Sequence, residues 1–288
     1  MAFRTILAPT DFGPASERAL ETAAALATCF GARLVVLHVV EENARAYPFP
    51  MPREVLDAAK AHLTDTVASL HRRMLDASSV LRDGVAWEEI CAYAAETPAD
   101  LVVLGSQGRR GLPRMVLGSV AERVVRMATV PVLTVHPSDH VAILAGGMDR
   151  FRHVLAPTDF SEASRRGVDT ATELAAQLDA ALTVVHVQPQ PSFPHHVPPD
   201  VLAAADAQAH GLLEELLGRV RARCPKAEGV LKRGTPWECV LDVAKDRGAD
   251  LVVLSTHGRR GLPRVFMGSV AEKIVRLAHV PVVTVGPA

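Results

Sequence analysis

The chain has 288 residues, 49% of them hydrophobic but only 4% aromatic, so its core must be built from Ala, Val and Leu, a composition suited to helices packed closely on a parallel sheet. A formal charge of -1 excludes a general electrostatic hold on nucleic acid or anionic membrane. Cys29, Cys91, Cys224 and Cys239 lack paired spacing, against a disulfide framework or zinc site, and without a signal-type leader or an apolar run of the roughly 18 residues that a membrane span needs, the expectation is a cytoplasmic protein.

Thr5 to Ala8 is a short apolar run stopped by Pro9, and Gly13-Pro14 opens a segment in which Ala19, Leu20, Ala23, Ala24, Leu26 and Ala27 recur at helical spacing. The chain therefore begins strand, turn, helix. Gly31 closes the helix, and Arg33 to Val40 is a continuous β-branched and leucine run, as in a strand buried on both faces. Tyr47 to Pro52 breaks regular structure before a long helix from about Arg53 to Asp76, a short strand near Val80 to Arg82 and a helix from Trp87 to Glu96. Leu101 to Leu104 is the most apolar strand; a glycine-rich loop, a helix from Ser119 to Ala128 and a strand from Val130 to Val135 complete the series. Strands alternating with helices predict a doubly wound α/β fold with a parallel sheet and right-handed crossovers.

The chain then says nearly the same thing again. Ile6 to Phe12 returns as Val154 to Phe160, and Ala99 to Val132 returns as Ala249 to Val282, at offsets of 148 and 150 residues. So long a period excludes solenoids and fits a duplicated domain. The second copy reads as a strand at Val154 to Ala156, helices from about Ser161 to Leu178 and Pro199 to Arg223, a strand at Leu182 to Val187, a helix from Trp237 to Arg247, and strands at Leu251 to Leu254 and Val280 to Val285. The expected domains are residues 1–137 and 152–288, joined by a linker over 138–151 whose Val141 to Ala145 is apolar enough to pack.

After the strand ending at Leu104 comes Gly105-Ser-Gln-Gly108, and nine residues later Gly118-Ser119 opens a helix. Glycines let a backbone approach a ligand closely, and a helix start offers unpaired N–H groups and the positive end of its dipole, so this is an anion-binding corner. In an open α/β sheet ligands lie beyond the carboxyl ends of the strands where the winding reverses, which would set Asp11 across one crevice from the Gly105 loop. Glycine and serine at such a turn also serve packing and capping alone, Asp11 also suits a helix cap, and neither strict nucleotide signature, G-x-x-x-x-G-K-[ST] or G-x-G-x-x-G, is present.

Pro9-Thr-Asp-Phe12, His38-Val39 and Gly105-x2-Gly108-x9-Gly118-Ser119 together resemble the universal stress protein family, here as a tandem pair covering nearly the whole chain. The resemblance implies a five-stranded parallel sheet in the order 3-2-1-4-5 in each half, of the adenine nucleotide alpha hydrolase-like type. It also implies association through the last strands, so that the two halves form an intramolecular pseudo-dimer, with further homodimerisation left open. Members with this loop bind ATP or a related adenine nucleotide (AMP or ADP), with magnesium. Carried over, the nucleotide-binding residues are Pro9, Thr10, Asp11, Val39, Gly105, Gln107, Gly108, Arg109, Gly118, Ser119 and Val120. Their counterparts are Pro157, Thr158, Asp159, Val187, Ser255, His257, Gly258, Gly268, Ser269 and Val270. Asp11 would accept from the adenine amino group or a ribose hydroxyl, Val39 would meet adenine through its backbone, and Gly118, Ser119 and Val120 would hold phosphates. Ser255 departs from the pattern, bringing a Cβ and a hydroxyl to a point of close approach, and there the second copy is expected to have diverged in function.

Several other residues admit a plain explanation. Arg109-Arg110, Arg114, Arg259-Arg260 and Arg264 suit a solvated loop as well as phosphate neutralisation. His195-His196 and His210 have no metal spacing, Trp87 and Trp237 read as packing anchors, and Glu122 and Glu272 complement a helix dipole. No nucleophile–base motif stands out. The leading expectation is an ATP-binding stress-response protein that is regulatory and not a fast enzyme, with an unknown protein partner. The Pro-rich loops Pro48 to Pro52 and Pro189 to Pro199 are candidate mobile segments. A weak magnesium-dependent ATPase and an interaction module without nucleotide are the alternatives.

Overall fold

A computed structural model describes residues 3–41, 52–106, 117–136, 151–190, 198–258 and 267–286. Linker residues 137–150, most of both Pro-rich loops with His195 and His196, and Gln107, Gly108, Arg109, Arg110, Arg114, Arg259, Arg260 and Arg264 lie outside the described residues. The chain divides into two compact units, the break falling between Met148 and Asp149.

The first unit runs β1 (Thr5–Pro9), α1 (Pro14–Phe30), β2 (Arg33–Val40), α2 (Arg53–Arg72), β3 (Ala77–Asp83), α3 (Ala86–Glu96), β4 (Leu101–Gly105), α4 (Ser119–Met127), β5 (Val132–Val135). Its strands are parallel in the order β3-β2-β1-β4-β5. The second unit repeats the plan with β6 (His153–Thr158), α5 (Glu162–Leu178), β7 (Ala181–Gln188), α6 (Pro199–Arg221), β8 (Ala227–Arg233), α7 (Pro236–Asp246), β9 (Leu251–Ser255), α8 (Ser269–Leu277), β10 (Val282–Val285). Its order is β8-β7-β6-β9-β10, again parallel.

The winding reverses between β1 and β4, and between β6 and β9. Right-handed crossovers then put α1 and α2 on one face and α3 and α4 on the other, and α3 does pack on α4. Ile6, Leu7, Leu34, Leu37, Leu101 and Leu133 are fully buried between these layers. α1 lies close to the sheet because the face it buries is Ala15, Ala19, Ala23, Ala24 and Ala27. It ends on Gly31 in the left-handed conformation, φ 60°; the same turn in the second unit is made by Asp179, φ 52°.

Differences from the sequence reading have local causes. Pro9 does not stop β1 but pairs with Leu37 as its last residue, a place where a missing N–H matters little. α2 ends earlier than expected, where Met74 turns left-handed at φ 62°. β3 is longer than the segment anticipated, and β8 was not anticipated at all, because both are edge strands rich in polar residues that carry little hydrophobic signal. The repeated acids Asp100 and Asp250 stand at the amino ends of the strands: Asp100 Oδ2 accepts the amides of Arg4 (2.7 Å) and Thr5 (2.9 Å), and Asp250 accepts those of Arg152 and His153. They hold sheets together at the edge opposite the crevices.

Candidate functional site

Each β1–α1 or β6–α5 turn is a network of short-range bonds. Asp11 Oδ1 accepts the amide of Gly13 (3.0 Å) and the hydroxyl of Ser16 (2.6 Å), while Thr10 Oγ1 accepts the amide of Phe12 (3.0 Å). In the second unit Asp159 Oδ1 accepts the amide (3.0 Å) and hydroxyl of Ser161, and Ser161 Oγ caps α5 by accepting the amide of Ser164. The aspartate thus uses one oxygen to shape the turn. Phe12 and Phe160 are forced left-handed, φ 59° and 64°, a strain of about 1–3 kcal/mol that persists only where the surroundings impose it. Those surroundings are buried histidines: His38 Nδ1 lies 2.7 Å from Thr10 O with its ring 4.4 Å from that of Phe12, and His186 repeats this on Thr158 O and Phe160 at 2.7 and 4.3 Å.

The other wall is the start of α4 or α8. The amide of Gly118 bonds Ser106 O at 2.8 Å, and that of Gly268 bonds Thr256 O at 2.8 Å, so the glycine opening the helix lies beside the end of the preceding strand. Both helices have a glycine at the cap, at φ −62° and −60°, with no side-chain capping bond. A glycine cap leaves the first amides, those of Ser119 and Val120 or Ser269 and Val270, without the side-chain acceptor that most helix starts supply. Ser106 Oγ is also buried without a partner. Glu122 and Glu272 are engaged by Arg126 and Arg276 one turn along, at 2.6 and 2.9 Å.

Across the crevice the second unit brings its two walls into contact. A Cβ at Gly258 would sit 2.8 Å from Asp159 Oδ2, so only glycine lets the loop pass the carboxylate. The counterpart Gly108 is outside the described residues, as are Gln107 and Arg109. His257 bonds Thr256 Oγ1 through Nδ1 at 2.9 Å, and its Nε2 is buried without a partner.

Val39 and Val187 lie at the ends of β2 and β7. Leu37 O accepts the amide of Thr10 and Val40 O accepts that of Gly84, and since backbone polar groups alternate sides along a strand, those of Val39 face the β1 side. There β1 has already turned away, its last pair being Pro9 with Leu37. The same parity places Val187 beyond Thr158, the last partner of β7 on β6.

The structure gives Gly105 a packing task. A Cβ there would meet Ala15 C and O at 2.7 Å and Ala15 Cβ at 2.9 Å, so the glycine admits the first turn of α1. In the second unit the small residue has moved from strand to helix. A Cβ at Gly167 of α5 would meet Ser255 N at 2.9 Å and Leu254 C at 3.2 Å, and the Ser255 hydroxyl donates to His257 O within its own loop. The Gly105-to-Ser255 change is thereby matched by Ala19-to-Gly167 at the corresponding point of the helix.

Taken together, each unit is a doubly wound α/β domain with an open helix start and a turn carboxylate at its switch point. A family model described as the universal stress protein family matches residues 2–136 and 150–286, and the chain belongs to that family in both halves. A universal stress protein of Mycolicibacterium smegmatis is 27% identical over 304 aligned residues, covering 98% of this chain and 97% of the relative. One from Mycobacterium tuberculosis is 30% identical over 288 residues, covering 89% and 91%. The crystal structure of a universal stress protein from Archaeoglobus fulgidus shares the fold, with a TM-score of 0.74 and 21% identity over 99% of this chain and 98% of that one. Among the described residues no helix is long and apolar enough to cross a membrane.

Proposed function

We propose that each half binds an adenine nucleotide, ATP above all, and that occupancy sets a regulatory state of a cytoplasmic stress-response protein instead of driving a fast reaction. The observation that carries this reading is the pair of glycine-capped helix starts, each beside a strand end at the switch point of its sheet, where unpaired amides and the helix dipole favour phosphate. In this reading Ser119 and Val120, or Ser269 and Val270, hold phosphates, with Gly118 or Gly268 keeping the approach open. The edge of adenine meets the backbone of Val39 or Val187, and the ribose lies by Asp11 or Asp159. Among the described residues no three metal-ligating side chains cluster, so magnesium would arrive on the phosphates themselves.

The regulatory part of the reading rests on the turn aspartates. Their Oδ1 atoms are bonded within the turn, which suits a binding group better than a general base. The test is to denature the purified protein and separate the released small molecules by chromatography. An adenine nucleotide in the supernatant supports the reading. Its absence, together with no binding of added ATP, overturns it.

A further inference from the structure

We infer that His38 and His186 are positioning residues that join the two sides of the adenosine end of each crevice. This inference rests on the nucleotide reading above and adds to it the element that holds the ligand-facing turn in its strained shape. Each histidine is the residue immediately before the valine whose backbone faces the crevice, so its main chain belongs to the β2 or β7 edge. Its side chain belongs to the opposite wall. A carbonyl oxygen can only accept, so the 2.7 Å contacts with Thr10 O and Thr158 O assign the proton to Nδ1. The same rings lie against Phe12 and Phe160, the residues held at positive φ.

Thr10 and Thr158 in turn accept the amides of those phenylalanines, and the next residue toward the ligand is the aspartate between them. Imidazole, carbonyl, left-handed phenylalanine and aspartate therefore form one chain of contacts, built alike in both units with both histidines less than a tenth exposed, at 9% and 6%. With the imidazole removed, the turn loses a donor and the ring, tilted against the phenylalanine, that opposes its relaxation, and Asp11 or Asp159 loses its set position relative to the valine backbone. The histidine touches the ligand in neither case; it acts through the turn.

The test uses the full chain, nucleotide-stripped, titrated with a fluorescent N-methylanthraniloyl ATP. His38→Leu and His186→Leu should each weaken one class of site roughly tenfold, the scale of one buried hydrogen bond to a preorganised group, and the double variant should weaken both. His38→Asn keeps a donor where Nδ1 stood, and should return affinity to within about threefold of wild type; a purely space-filling role would not distinguish Asn from Leu in that direction. Exchange of the Phe12 amide should speed up in His38→Leu and not in His38→Asn. Unchanged affinity in the Leu variants, or an Asn variant as weak as Leu, would overturn the inference while leaving nucleotide binding in place. A wild-type protein that binds no analogue at all removes the nucleotide reading, and the inference with it.

Discussion

The exchange of glycine between strand and helix makes a quantitative prediction. Introducing Ser at position 105 puts a Cβ 2.7 Å from Ala15 C and O, and because those are backbone atoms α1 itself must move. Overpacking of this kind costs about 1–3 kcal/mol, or roughly 4–12 °C in the melting temperature of a unit of this size at ~4 °C per kcal/mol. The second unit shows how the cost is avoided: where the strand carries Ser255, the helix carries Gly167 and approaches at that position instead. Ala19→Gly alone should cost about 1 kcal/mol as a helix-interior glycine, and the double variant Gly105→Ser/Ala19→Gly should be more stable than the sum of the singles by at least ~1 kcal/mol. The chain holds two tryptophans, Trp87 under Arg123 in the first unit and Trp237 under Lys273 in the second. Urea unfolding followed by fluorescence in a Trp237→Phe background therefore reports the first unit alone. A silent Gly105→Ser, or strict additivity in the double variant, would refute the reasoning.

Four further outcomes follow from particular contacts. Gly258→Ala should weaken nucleotide binding in the second half selectively, measured by titration, since its Cβ would displace the Asp159 carboxylate 2.8 Å away. Asp179→Gly should stabilise the second unit by about 0.5–1 kcal/mol in urea by relieving a non-glycine left-handed residue, the lost ion pair with Lys226 being exposed on both sides and worth little. Burial pushes the Asp250 carboxyl above its ordinary range against the opposing pull of the Arg152 and His153 amides. The folded state then binds this proton more tightly than the unfolded one, so the contribution is full at low pH and is lost as pH rises through the raised value. The stability of wild type relative to Asp250→Asn should accordingly fall as pH is raised through the elevated titration of this carboxyl, in urea titrations at fixed pH. Burial also pushes the Cys91 thiol up to about 11, whereas Cys29 is exposed; thiol labelling at pH 8 should modify Cys29 first and spare Cys91 until urea is added.

Most of the fold was legible in the sequence because its central strands are buried on both faces and α1 is stopped by Gly31: β2, β4 and their copies stand out as apolar runs, and α1 by its alanine periodicity. The edge strands did not, since β3 and β8 present polar side chains and their pairing is a tertiary fact. At the candidate site, the aspartate and the helix-opening glycine stand in local motifs that the sequence displays, whereas the valine is named only by the family resemblance. What could not be read was the direction in which a Cβ points. A Cβ at Gly105 would face Ala15, a packing demand that the loop motif does not display, and the compensating Gly167 lies far away in sequence in a helix where glycine reads only as a weak residue. The anchoring of Phe12 by His38 likewise joins residues on two strands; its signal was the return of Thr10, Phe12, Ser16 and His38 in the second copy at the single offset of 148.

The central claim, that the open start of α4 or α8 holds the phosphates of a nucleotide in each half, is tested most directly by calorimetric titration of the nucleotide-stripped protein with ATP, beside Ser119→Pro and Ser269→Pro. Proline at the first helical position removes one amide donor at little cost to the helix, and Gly118 and Gly268, at ψ 146° and 142°, already have the extended backbone that a following proline requires. The account predicts one nucleotide per half in wild type and loss of one site in each variant with unfolding midpoints unchanged. Wild-type affinity and stoichiometry in both proline variants, or no heat of binding in the wild type, would contradict it.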